Sequence, residues 1–264
     1  MESLTRTGRV LFAVSMAAMG ILNFIYSDTV SGLEPVPSWV PGRLFWAYLT
    51  GAVLIAAGAC IVAGKKPRLA AVSLGIMLLL WVLLLQAPKM AVRPYDGSAW
   101  TTTFETLALC GVAWVLAGSL TTGQSFRRRW DDVVVSLAAP GRICFGISML
   151  VFGGLHFIYA GFVATLVPAW IPGRAFWPYF TGAAFVAAGL SIMTKVKARL
   201  AATLLGVMFG AWVLILHAPR VAAKPGNREE WTSLLVAAAM CGAAWLVAGS
   251  LAREDSAKRV DLSV

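Results

Sequence analysis

Eight long stretches of this sequence contain no charged residue. They separate Arg9 from Asp28, Arg43 from Lys65, Arg68 from Lys89, Glu105 from Arg127, Arg142 from Arg174, Arg174 from Lys195, Arg199 from Arg220 and Glu230 from Arg253. The shortest holds eighteen residues and the longest thirty-one. A helix rises about 1.5 Å per residue, so about 20 apolar residues cross a hydrocarbon layer about 30 Å thick. Within lipid the backbone must satisfy its own hydrogen bonds, which a helix does. The stretches therefore predict an all-α, polytopic membrane protein with eight transmembrane helices. Composition agrees: 59% of residues are hydrophobic, 13% are charged, and mean hydropathy is +0.78. A soluble domain needs more polar surface.

The net charge of +10 would suggest nucleic acid as a partner for a soluble chain. Here the basic residues sit in short connections, which points to the lipid bilayer and not to nucleic acid. Fifteen of the 22 Lys and Arg fall at the N-terminus, at Lys65–Arg68, at Arg127–Arg142, at Lys195–Arg199 and in the C-terminal tail. The other seven occupy the opposite connections. The positive-inside rule then places both termini in the cytoplasm. The first stretch resembles a signal peptide in having basic residues before an apolar run. Its internal repeat after Arg142 predicts that it is retained.

The chain is written twice. Trp39, Trp46, Trp81, Trp100 and Trp114 recur 131 positions later as Trp170, Trp177, Trp212, Trp231 and Trp245. "VPSWVPGRLFW" from Val36 recurs as "VPAWIPGRAFW" from Val167. Cys110 pairs with Cys241, and "QAPK" at Gln86 with "HAPR" at His217. The predicted organisation is a first four-span repeat over 1–122, a cytoplasmic linker over 123–140, and a second repeat with a short tail over 141–264. Four spans per copy give both copies the same orientation, so they form two parallel-repeat four-helix bundles. The linker's Trp130 beside three arginines suits a segment lying on the membrane surface, or a solvated basic turn.

The repeated Trp-Pro-Gly motif follows the first span of each copy. Its prolines bar helix continuation. We expect an apolar cap at the outer face, with Trp39, Trp46, Trp170 and Trp177 in an interfacial aromatic belt. The cap either closes its bundle or serves as a lid over an outward pocket. Arg43 and Arg174 sit at the outer end of the second span of their copies.

"GGLHFIY" at Gly153, "LVPAWIPGRAFWPYFTGAAFVAAGL" at Leu166 and the basic turn "KVKARLAA" at Lys195 resemble the DoxX-like group of bacterial membrane proteins. The resemblance covers the second copy from about Gly141 to Leu251 and the first, more loosely, from Gly8 to Leu120. It implies a bacterial inner-membrane protein built on a four-span unit. It also implies an accessory subunit of a quinone-linked electron-transfer system, such as thiosulfate:quinone oxidoreductase, with membrane or periplasmic redox partners. A tandem fusion departs from the single unit of that group.

The two histidines, His156 and His217, are both in the second copy, where Asn23 and Gln86 stand in the first. Helical rise puts His156 about 21 Å beyond Arg142 and His217 about 27 Å beyond Arg199, both near the outer leaflet. Ionisable groups in an apolar zone are costly and point to use. The pair can hydrogen-bond a quinone carbonyl, ligate haem iron or a metal, or relay a proton; each can equally well bond a neighbour or a lipid headgroup. Two ligands without carboxylate or thiolate make a poor metal site. Trp170, Arg174, Trp177 and Arg220 complete the candidate ligand site, with Asn23, Gln86 and Arg43 as the first-copy counterparts. Glu105 is an isolated acid that would seek Arg43 or Arg93, or snorkel to the interface. Pro88 and Pro219 are expected to end their helices, leaving Lys89 and Arg220 among free carbonyls. The four cysteines lack CxxC spacing and read as small core residues. No nucleotide-binding or hydrolase motif is present. A purely structural subunit and a small-molecule transporter remain the alternatives to the redox reading. Transporter sites lie near the midplane, whereas these polar residues lie at one end.

Overall fold

The computed structural model describes residues 2–30, 32–120 and 129–261, with side chains described from 3 to 252 except 31, 121–130. All eight expected stretches form helices long and apolar enough to cross a membrane. In the first half these are α1 (Glu2–Tyr26), α2 (Arg43–Ala63), α3 (Pro67–Trp81) continued by a π turn and α4 (Ala87–Val92), and α5 (Gly97–Ser119). The second half begins with α6 (Arg129–Ser136) and α7 (Ala138–Ile158). A short α8 (Ala160–Leu166) then leads to α9 (Phe176–Thr194). The last elements are α10 (Ala198–Trp212) with its own π turn and α11 (Ala218–Ala223), and α12 (Arg228–Asp261). No strand occurs among the described residues. One end of the bundle carries the N-terminus and the turns at 64–66 and 195–197. The opposite end, here the far end, carries 27–42, 93–96, 159–175 and 224–227.

Local sequence sets the boundaries. Gly42 and Gly173, in the two "PGR" motifs, have φ of +69° and +66°. That left-handed backbone suits glycine and turns the chain into the next helix. Asp96 caps α5 by accepting from the Ser98 N–H at 2.9 Å. Asn227 does the same for α12 through the Glu229 N–H at 2.8 Å.

The halves interlock. Along each half, consecutive spans pack together: α1 on α2, α2 on α3, α3 on α5, and likewise α7 on α9, α9 on α10, α10 on α12. Each half's first span closes its ring against the other half's last span: α1 packs on α12, and α7 on α5. The two last spans also touch each other. Burial reflects this: 83% of the apolar window of α12 and 67% of that of α5 are buried, against 22% for the seventh span.

Small residues make the crossings. A Cβ on Gly111 would lie 2.3 Å from the Gly141 carbonyl oxygen, and a Cβ on Gly141 would lie 2.3 Å from that of Gly111. The equivalent crossing in the other direction sets Gly8 against Gly242, at 2.8 and 2.6 Å. Lipid gives helices no hydrophobic reason to associate, so close backbone approach and dispersion hold them. Between these contacts the outward faces carry exposed Leu69, Leu84, Leu204 and Leu214. Such faces suit acyl chains.

Residues 121–128, which include the first six of the expected linker, lie outside the described residues, as does the Trp130 side chain. From Arg129 the chain is helical and packs on α5, with Val134 fully buried and Arg68 ion-paired to Asp131.

Candidate functional site

Proline shapes the site in both halves. Pro88 and Pro219 were expected to end their helices. They do not: each helix widens into a π turn, Val82–Gln86 or Val213–His217, and runs on to Val92 or Ala223. The proline ring would strike the carbonyl four residues back, and widening the turn relieves that clash. The Ala87 N–H accordingly bonds Val82 O, and the Ala218 N–H bonds Val213 O. Gln86 and His217 end these turns, at the far end. Asn23 on α1 and His156 on α7 lie at the same end of their helices. The two pairs thus occupy equivalent places.

In the first half this place is filled. The connection after α1 folds back, with Thr29, Val30, Leu33 and Glu34 buried. The Gln86 amide donates to Gly32 O at 2.8 Å and Leu33 O at 3.1 Å, and its oxygen accepts from Thr102 at 3.1 Å. The Asn23 amide donates to Ala47 O at 3.2 Å and Thr50 Oγ1 at 3.3 Å. Thr50 lies 2.8 Å from the Glu34 carboxylate. Asp28 latches the connection in place. It accepts from Arg43 at 3.1 Å and from Arg228 of the other half at 3.3 Å, and Arg228 also donates to Thr29 O. Burial alone would raise the Asp28 carboxyl. The Thr29 N–H and the two guanidiniums outweigh it and hold the group below its ordinary value.

In the second half the equivalent connection is two residues shorter and forms α8, none of whose residues is buried. His156 is half-buried, and its Nδ1 lies 2.8 Å from Phe152 O. Its ring stacks on Trp212 (centroids 6.1 Å, planes 12° apart) and meets the edge of Phe185 at 5.1 Å. Phe152 and Phe209 extend the cluster. Met19, Leu54 and Leu78 stand where Phe152, Phe185 and Phe209 do, so the three phenyl rings belong to the second half alone, while Trp81 is the counterpart of Trp212. His217 is also half-buried. Its Nδ1 is buried and has no hydrogen-bond partner. No hydrogen bond joins the two imidazoles. Trp212, which stacks on His156, lies five residues before His217 on the same span.

The other candidates lie apart. Trp39 is 81% and Trp170 72% exposed, as interfacial anchors would be. Arg174 donates to Thr165 O at 3.2 Å, and Trp177 to Pro172 O at 3.0 Å, so both brace the motif itself. Arg220 is one turn beyond His217 on α11. Glu105 is half-buried on α5. It pairs with neither Arg43, which is held by Asp28, nor Arg93. An open groove of about 370 Å³ runs along Arg6, Thr7, Val10, Leu11 and Val14 of α1, away from these residues.

Sequence reasoning missed Glu34, Thr50 and the Asp28–Arg228 latch. The signals were the first copy's two extra residues and an acid between apolar neighbours in "SGLEPVP". Among the described residues no group of three or more His, Cys, Asp or Glu is placed to hold a metal ion. Comparison with known proteins finds no matching family model, no matching curated protein and no matching solved structure.

Proposed function

We propose that this chain is a DoxX-like inner-membrane subunit serving a quinone-linked electron-transfer system, with both termini cytoplasmic and its far end outward. The second half binds the quinone headgroup. His217 supplies a hydrogen bond to a quinone carbonyl, and the Trp212–His156 stack supplies a flat face for the ring. One observation carries this reading. Gln86 and His217 occupy equivalent places, and the Gln86 amide is met by Gly32 O, Leu33 O and Thr102, whereas His217 keeps a buried nitrogen without a partner. A buried polar atom left unmet costs about 1–3 kcal/mol, a penalty that a ligand hydrogen bond removes. The aromatic replacements in the second half support a ring-shaped ligand.

The test is photolabelling of the full chain in nanodiscs with an azidoquinone, followed by peptide mapping. Labelling is expected between Phe209 and Arg220 and to fall at least about tenfold, or about 1.4 kcal/mol, in His217→Ala. Labelling elsewhere, or unchanged in that variant, refutes the proposal and leaves a structural subunit.

A further inference from the structure

The first half holds a buried carboxyl that the quinone reading does not use. Glu34 is 2% exposed. Its Oε2 lies 2.8 Å from Thr50 Oγ1, and Thr50 Oγ1 lies 2.8 Å from Trp46 O. A hydroxyl has one hydrogen to give and two lone pairs to offer. The second half shows where that hydrogen goes when no carboxyl is near. Thr181, the counterpart of Thr50, donates to Trp177 O at the same 2.8 Å. With Thr50 committed in the same way to Trp46 O, the hydrogen between Thr50 and Glu34 is Glu34's own. Thr50 is then fully satisfied: it donates to Trp46 O and accepts from Glu34 and from the Asn23 amide.

Asn23 argues the same way. Its Nδ2 faces Ala47 O, which fixes the orientation of the amide. Its Oδ1 is left buried with no donor, in a residue that is 0% exposed. An ionised carboxylate would add further acceptors to a place already short of hydrogens. The surrounding charges offer no relief. Asp28 is the charged group that acts on Glu34, and it is an acid; Arg43 and Arg228 are both turned to Asp28. Asn23 on α1, Thr50 on α2, and Gln86 with Thr102 beyond them are all uncharged.

We propose that Glu34 is a proton-binding site: a carboxyl carried as the neutral acid in the closed end of the first half, its hydrogen given to Thr50. Burial, chiefly, lifts this carboxyl to about 8, against the polar neighbours Thr50 and Asn23 and with a contribution from the Asp28 charge. The site is thus loaded at neutral pH and empties in mild alkali. The proposal is independent of the quinone reading.

Infrared difference spectra of the full chain in vesicles, between about pH 6 and about pH 9.5, read the site directly. A protonated-carboxyl stretch is expected at the lower pH, titrating near 8. It should be retained in Glu105→Gln, which removes the unpaired, half-buried acid of α5, and abolished when Glu34→Gln is added to that variant. In Thr50→Val, which removes the acceptor, the band should shift without being lost. A band that survives Glu34→Gln in the Glu105→Gln background, or no protonated-carboxyl band at the lower pH, overturns the proposal. So does loss of the band on adding sodium ions at constant low pH, which would make the group a cation ligand instead.

Discussion

Alanine at Gly111 measures what the interlock of the two halves contributes. The new Cβ would lie 2.3 Å from Gly141 O, 3.0 Å from Cys144 Cβ and 3.2 Å from Gly141 C. A carbon and a carbonyl oxygen settle at about 3.3–3.6 Å, so α5 and α7 must part by about 1 Å. Separation on that scale forfeits dispersion along the whole crossing. Overpacking of this kind costs about 1–3 kcal/mol. Alanine also gains up to about 1 kcal/mol of helix propensity over glycine, which hides part of the cost. Gly154→Ala supplies the control. Gly154 lies within α7, and a Cβ there meets nothing within 4 Å. The propensity gain is common to both variants, so their difference isolates the crossing at about 1–3 kcal/mol. Reversible unfolding in mixed micelles, followed by tryptophan fluorescence, gives both numbers. Equal stability of Gly111→Ala and Gly154→Ala would refute the reasoning.

Two further outcomes are expected. Each first span closes on the other half, so fragments 1–124 and 125–264 should co-purify when co-expressed, and neither should be a folded monomer alone. Recovery of either fragment as a stable monomer in size-exclusion chromatography counts against the interlock. Glu34→Gln should flatten the pH dependence of thermal stability. The folded carboxyl titrates at about 8 and the unfolded one at 4.5, so the native state holds the proton more tightly. That contribution is complete below 4.5 and is lost as pH rises to 8, at up to about 1.4 kcal/mol per pH unit. A melting temperature of the native chain that does not fall between pH 5 and pH 8 relative to the variant would sink this account.

Span number and the doubling were legible because both are one-dimensional. Charge-free length sets how many helices cross, and the 131-residue tryptophan spacing sets the halves. The shared end of His156 and His217 was legible too, by counting helical rise. Which half closes which ring was not, since α1 on α5 and α1 on α12 leave the same periodicity in the chain. Glu34 escaped for a related reason. An acid beside two prolines reads as a solvated loop, and only the fold-back onto Thr50 and Asn23 makes it interior. Pro88 and Pro219 were read by the local rule that proline stops helices. Surrounding helices held the backbone on course, and the strain was absorbed by one widened turn.

The widened turn also carries information about history. It occurs at the same register in both third spans, Val82–Gln86 and Val213–His217, each followed by Ala-Pro. Shared features of duplicated copies descend from the single ancestral unit, while differences arose afterwards. The ancestor therefore already swung a polar side chain inward at this level. The longer connection that fills one copy, and the phenyl rings found only in the other, are differences that followed the doubling.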